Sequence, residues 1–136
     1  MPNLAFKAVS QYQSADHSAI AYADPHELIL RLMNGAIERI AQARGALSRG
    51  DLAAKAEFIS KAVQIIGGLE GCLDHEQGGE LAGNLTDLYQ YMGLTLAEAN
   101  LNDDIAKLNE VSGLLGEIRS AWAQIPQLEQ PVSARG

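Results

Sequence analysis

Leu73-Asp74-His75-Glu76-Gln77-Gly78-Gly79-Glu80-Leu81, followed at once by Asn84-Leu85-Thr86-Asp87-Leu88-Tyr89-Gln90-Tyr91-Met92, decides the fold. A polar break with a glycine pair leads into a run whose apolar residues recur at helical spacing: Leu81, Leu85, Leu88, Met92, Leu96 and Ala99. The same pattern returns at Ala99-Asn100-Leu101-Asn102-Asp103-Asp104-Ile105, where Asn102 to Asp104 end one helix and cap the next. Both stretches carry patterned apolar surface and no catalytic constellation.

Working outward, Asp24-Pro25-His26-Glu27 reads as a helix start. Asp24 is the expected N-cap, Pro25 fits the first helical position, where no N–H is missed, and Glu27 closes a capping box. That helix is expected to run to about Arg49, with Gly50 as its left-handed stop. Asp51 caps a second helix ending near Leu73, and Asp74 to Gly79 is expected to be a polar loop. The third helix is placed from about Glu80 to Leu101 and the fourth from Asp104 to about Gln124, before Pro126. Short turns return the chain beside itself, so the predicted fold is all-α, an antiparallel up-down-up-down four-helix bundle. Residues 1–23 are expected to form a mobile, partly helical N-terminal segment, with Phe6, Val9 and Tyr12 spaced for a short additional helix. Residues 24–125 form the bundle and 126–136 a flexible tail.

Composition narrows the function classes. At 136 residues the chain is one domain able to build a core without staples. Aromatics at 5% are too few for a typical β-sandwich. The net charge of -7 and the absence of any basic run argue against a nucleic-acid partner and against an anionic membrane surface. No apolar run approaches the ~20 residues needed to span a bilayer, and Met1 to Val9 lacks the pattern of a secretory signal. A cytoplasmic protein with no membrane insertion is expected. Cys72, the lone cysteine, reads as a small buried apolar side chain.

Every helix shows a core seam at bundle spacing. The first has Ile29, Met33, Ala36, Ile40, Ala43 and Leu47, the second Ile59, Ala62, Ile66, Leu69 and Leu73, the fourth Leu108, Val111, Leu115, Ile118 and Trp122. Apolar residues are left over. Leu28 and Leu32 flank the first seam on one side, and Leu30, Ile37 and Ala41 on the other. Tyr91, Leu94 and Leu101 form a second line on the third helix, and Leu114, Ala121 and Ile125 on the fourth. Either each helix buries a wide arc against two neighbours, or some lines stay outside and receive a partner helix. Leu30, Ile37, Tyr91, Leu94 and Leu101 are the candidates for the second case. Gly67, Gly68, Gly71, Gly93, Gly113 and Gly116, inside helices, read as drift or as a shallow wall that another backbone can approach.

Chemistry is missing. No Glu is followed by His at +3, as a di-iron bundle would require, and His26-Glu27 leads to Leu30 where a zinc protease has its second His. His17, His26 and His75 lie near predicted element ends and are expected in solvent. No His stands mid-helix as in a phosphotransfer bundle. No cofactor, metal or enzymatic activity is expected.

Taken in order, Tyr12-Gln13, Pro25-His26-Glu27-Leu28 with Leu32-Met33-Asn34-Gly35-Ala36, Leu73-Asp74 with Gly79-Glu80-Leu81, Asn84-Leu85 with Leu88-Tyr89-Gln90-Tyr91-Met92, Glu98-Ala99-Asn100-Leu101, and Glu110-Val111 through Ile118 to Ala121-Trp122 resemble the flagellar export chaperone FliS family over about residues 8 to 123. The chain departs from the family at Met33-Asn34, in the glycines between Val63 and Gly71, and at Gly93. The resemblance implies a cytoplasmic chaperone for flagellar type III export. It would bind the C-terminal segment of flagellin, prevent premature polymerisation and assist delivery to the secretion apparatus. The alternative is a helical adaptor of the same system serving another substrate tail. Implied partners are the flagellin segment and, beyond it, export-gate components or flagellar regulators, with the chaperone a monomer or weak homodimer. The resemblance also assigns Tyr12 to the groove, as a lid or contact residue.

Overall fold

The computed structural model describes residues 21, 22 and 26–125. Four helices follow in order: α1 (His26–Ser48), α2 (Leu52–Gly71), α3 (His75–Asn102) and α4 (Ile105–Ala123). The expected Asp24 cap, Pro25, the N-terminal lid with Tyr12 and the tail beyond Ile125 lie outside the described residues.

Local chemistry sets each boundary. At the end of α1, Gly50 takes φ 76°. Its N–H donates to Leu47 O at 3.0 Å, and Asp51 N–H donates to Ala46 O at 2.9 Å. This is a Schellman closure, and its left-handed residue favours glycine. Asp51 then caps α2 by accepting from Ala54 N–H at 3.1 Å. Asp103 ends α3 at φ 52°, and Asp104 caps α4 by accepting from Ala106 N–H at 3.0 Å and Lys107 N–H at 3.3 Å.

The segment from Asp74 to Gly79 differs from the expected loop. The Asp74 carboxylate accepts from Glu76 and Gln77 N–H, so a helical turn begins at His75. Gly79 then breaks the direction at φ 51°, ψ −125°, which an L side chain resists. The cap, five residues ahead of the break, turns a loop into the first turn of α3.

The helices form a ring in which α1 packs on α2, α2 on α3, α3 on α4, and α4 back on α1. Cross-helix hydrogen bonds fix the antiparallel sense: Arg119 Nε to Asn34 Oδ1 at 2.5 Å and Arg44 Nη1 to Asn109 Oδ1 at 3.2 Å join α4 to α1. Gln90 Nε2 to Glu70 Oε2 at 3.0 Å joins α3 to α2. The predicted seams meet inside, and all but Leu47 and Leu81 are buried; those two pack half-buried against the core.

One end of the ring is closed by Ala21 and Tyr22. Asp74 N–H donates to Ala21 O at 2.6 Å, and Tyr22 bridges Leu73 as an isolated antiparallel pair. The Tyr22 hydroxyl meets that of Tyr89, and its ring stands edge-on to Trp122 at 5.0 Å. Gly78 makes the approach possible, since a Cβ there would stand 2.7 Å from Ala21 Cα. His26 corrects the sequence expectation of a solvated ring: it is 2% exposed. Its burial is compensated, because Nε2 donates to Trp122 O at 2.8 Å.

Candidate partner-binding surface

The leftover apolar lines divide between the two explanations, helix by helix. Leu30 and Ile37 lie half-buried against the core, on the flank of α1 from which Asn34 and Arg44 reach α4. Ala121 and Ile125 are buried and Leu114 half-buried. A ring of four gives α1 and α4 two neighbours each, and most of their wide arcs serve both, although Leu28 and Ala41 stay exposed on α1.

On α3 the second line stays outside. Tyr91 is 46% exposed, Leu94 69% and Leu101 81%. Spacing at 100° per residue separates them. Tyr91 shares a line with Glu98 that faces α4: its hydroxyl donates to the Glu110 carboxylate, and Lys107 Nζ lies 3.3 Å from Glu98 Oε1. The bond to Glu110 pushes the Tyr91 hydroxyl pKa up, and Glu98 does the same to the Lys107 ammonium. Leu94 and Leu101 fall on the outer ridge, between this line and the line of Gln90 that reaches α2.

The flank of the ridge toward α2 is shallow. The Gln90–Glu70 bond sets an antiparallel register that brings Gly67 level with Gly93, and Val63 level with Ala97. Among the described residues, nothing beyond the helix's own neighbouring backbone lies within 4 Å of where a Cβ would stand on Gly67 or Gly93. Val63 is exposed, as is Leu52 further along α2. The result is a trough with small residues for a floor and Leu94 and Leu101 on one rim. Lys55 closes its far end: buried in α2, its Nζ donates to Asn100 O at 2.9 Å and to the Asp103 carboxylate.

The five described candidates are thus not one site. Tyr91, Leu94 and Leu101 share the outer face of α3, whereas Leu30 and Ile37 belong to the α1–α4 seam. Tyr12 lies outside the described residues. Sequence reading missed Val63 and Ala97 as floor residues. The signal was the spacing of Val63, Gly67 and Glu70 against Gln90, Gly93 and Ala97, but it becomes legible only once the register is known.

The surface offers apolar contact and main-chain access rather than chemistry. Among the described residues no His, Cys, Asp and Glu group is placed to hold a metal, and no helix is long and apolar enough to cross a membrane.

Comparison with known proteins agrees in kind. Residues 8–129 match the family described as flagellar protein FliS. The chain is 52% identical over 119 residues to flagellar secretion chaperone FliSB of Pseudomonas aeruginosa, covering 87% of this chain and 94% of the relative. It is 47% identical over 114 residues to flagellar secretion chaperone FliS of Salmonella typhimurium, covering 83% and 84%. To the Bacillus subtilis flagellar secretion chaperone FliS it is 34% identical over 119 residues, covering 88% of each.

Proposed function

The chain belongs to the FliS family of flagellar proteins, whose curated relatives are secretion chaperones and not enzymes, and on that footing we propose that it binds the C-terminal segment of flagellin along α3. The bound segment cannot polymerise early and is handed to the flagellar type III export apparatus from the cytoplasm. The observation that carries this reading is the exposure of Leu94 and Leu101 beside the glycine-floored trough. A tail that folds on binding needs apolar ridges to insert against and a floor low enough for its backbone. Tyr91, on the opposite shoulder of α3, extends the contact toward α4, and Tyr12 serves as lid or contact from the N-terminal segment.

Calorimetry with the flagellin C-terminal peptide tests this. Binding is expected with a large negative heat-capacity change, because a disordered segment buries apolar area as it orders. Leu94→Asp and Leu101→Asp should each weaken it at least ~tenfold while far-UV helicity is retained. Flagellin lacking only its C-terminal segment should not bind. Undiminished binding of that truncated flagellin defeats the proposal in favour of another substrate region.

A further inference from the structure

We propose that the seam between α1 and α4 is a second docking surface, for an acidic segment of a partner protein. It lies across the ring from the α2–α3 trough. The seam is built reciprocally: α1 supplies Arg44 to Asn109 of α4, and α4 supplies Arg119 to Asn34 of α1. Both pairs obey one register, which brings Ile37 level with Gly116 and Ala41 level with Ser112 between them. Two guanidinium groups therefore stand about 15 Å apart along α1, at the ends of a short uncharged strip.

The choice of partner for each arginine carries the inference. In a chain with 17 carboxylate residues and 10 Lys and Arg, a carboxylate could have held either guanidinium. Asn holds both. An amide accepts one N–H and orients the fork but cancels no charge, and it leaves four of the five donors for a planar anion. Arg39 repeats the pattern, donating to Gln42 Oε1 at 2.7 Å. The wider face is mixed in charge: Arg49 lies over Gly45, Arg31 is paired with Glu27 at 3.5 Å, and Glu38 is exposed on α1. α3, in contrast, has no Lys or Arg.

An acidic protein segment fits this surface better than a polyanion. Two oriented guanidinium groups suit two carboxylates about three helical turns apart. The net charge of -7 opposes a long run of phosphates or an anionic bilayer.

Isotope-labelled protein titrated with a short alanine-based helical peptide bearing glutamates at matching spacing tests the proposal. Shifts are expected around Asn34, Arg44, Asn109, Gly116 and Arg119, with Kd at least ~fivefold below that of the glutamine counterpart and rising with salt. Asn34→Asp with Asn109→Asp cancels the charge in place without removing either arginine, and it should abolish binding while helicity is kept. Arg44→Gln with Arg119→Gln should do the same. Equal binding of the two peptides, unchanged binding by either double variant, or shifts confined to α3 overturns the proposal. Tighter binding of a single-stranded oligonucleotide or of phosphatidylserine vesicles at the seam also overturns it, in favour of a polyanion.

Discussion

His26 and Trp122 exchange hydrogen bonds through each other's main chain. The imidazole Nε2 donates to Trp122 O at 2.8 Å, and the indole Nε1 donates to His26 O at 3.2 Å. The two rings stack at 5.2 Å. A carbonyl can only accept, so His26 carries its proton on Nε2. One pair of side chains thereby adds a side-chain donor to a carbonyl at the start of α1 and to one near the end of α4, where Ile125 N–H also reaches Trp122 O at 3.1 Å.

Trp122→Phe retains an aromatic ring and deletes the donor to His26 O. Loss of about 1–3 kcal/mol is expected, from the lost indole hydrogen bond to His26 O and from reduced contact area. Urea unfolding followed by far-UV dichroism measures it, and an unchanged midpoint would refute the role given to the indole.

Lys55 is buried because it closes the end of α3, donating to Asn100 O and the Asp103 carboxylate. Lys55→Met keeps the packed stem and removes the donor, at an expected cost of about 1–3 kcal/mol. Asp103, left-handed at φ 52°, separates two effects. Asp103→Asn keeps a residue that tolerates this conformation, and Asp103→Ala does not, so the Ala variant should be the less stable of the two.

Gly78 and Gly68 should respond in opposite directions. A Cβ on Gly78 would meet Ala21 at 2.7 Å and displace the bridge to Leu73, so Gly78→Ala should destabilise by about 1–3 kcal/mol. At Gly68, exposed in α2, no side chain or neighbouring element among the described residues lies within 4 Å of where a Cβ would stand. Gly68→Ala should gain about 0.5–1 kcal/mol through helix propensity. Thermal midpoints that move together would contradict this reading.

Gly67→Ala and Gly93→Ala also gain helix propensity, yet they raise the floor of the trough. Each should elevate the thermal midpoint and weaken binding of the flagellin C-terminal peptide by about threefold or more. A variant that gains stability and keeps its affinity would show that the bound segment runs elsewhere.

Alkali should unfold the protein through its buried phenols. Desolvation is the largest cause raising the pKa of both Tyr22 and Tyr89 above the ordinary value of 10.0. With the folded value raised, this stabilisation is whole below about pH 10 and declines as pH rises beyond it. Their tyrosinate absorbance should therefore appear together with loss of helicity. Tyr22→Phe should leave a single phenol, that of Tyr89, titrating in that step.

The bundle was legible because its signals are local. Gly50, Asp51, Asp74, Asp103 and Asp104 act within a turn of where they sit, and apolar spacing marks the seams. The turn from His75 was not legible, because the same Asp-led polar run suits a loop or a capped helix. His26 was misplaced for a different reason: its burial depends on Trp122, 96 residues away. The surface shows the same limit. Leu94 and Leu101 could be identified as surplus on α3, but Leu30 and Ile37 looked equally surplus until α4 was seen to cover them.

Because α4 completes the ring by lying on α1, the bundle cannot close until α4 has been made. The α1–α2 hairpin closes through a three-residue turn and can collapse early, but Asn34 waits 85 residues for Arg119 and His26 waits 96 for Trp122. Until α4 leaves the ribosome, the flank with Leu30 and Ile37 is open apolar surface. A member of a family of secretion chaperones thus passes through a nascent stage in which its own first helix exposes apolar surface.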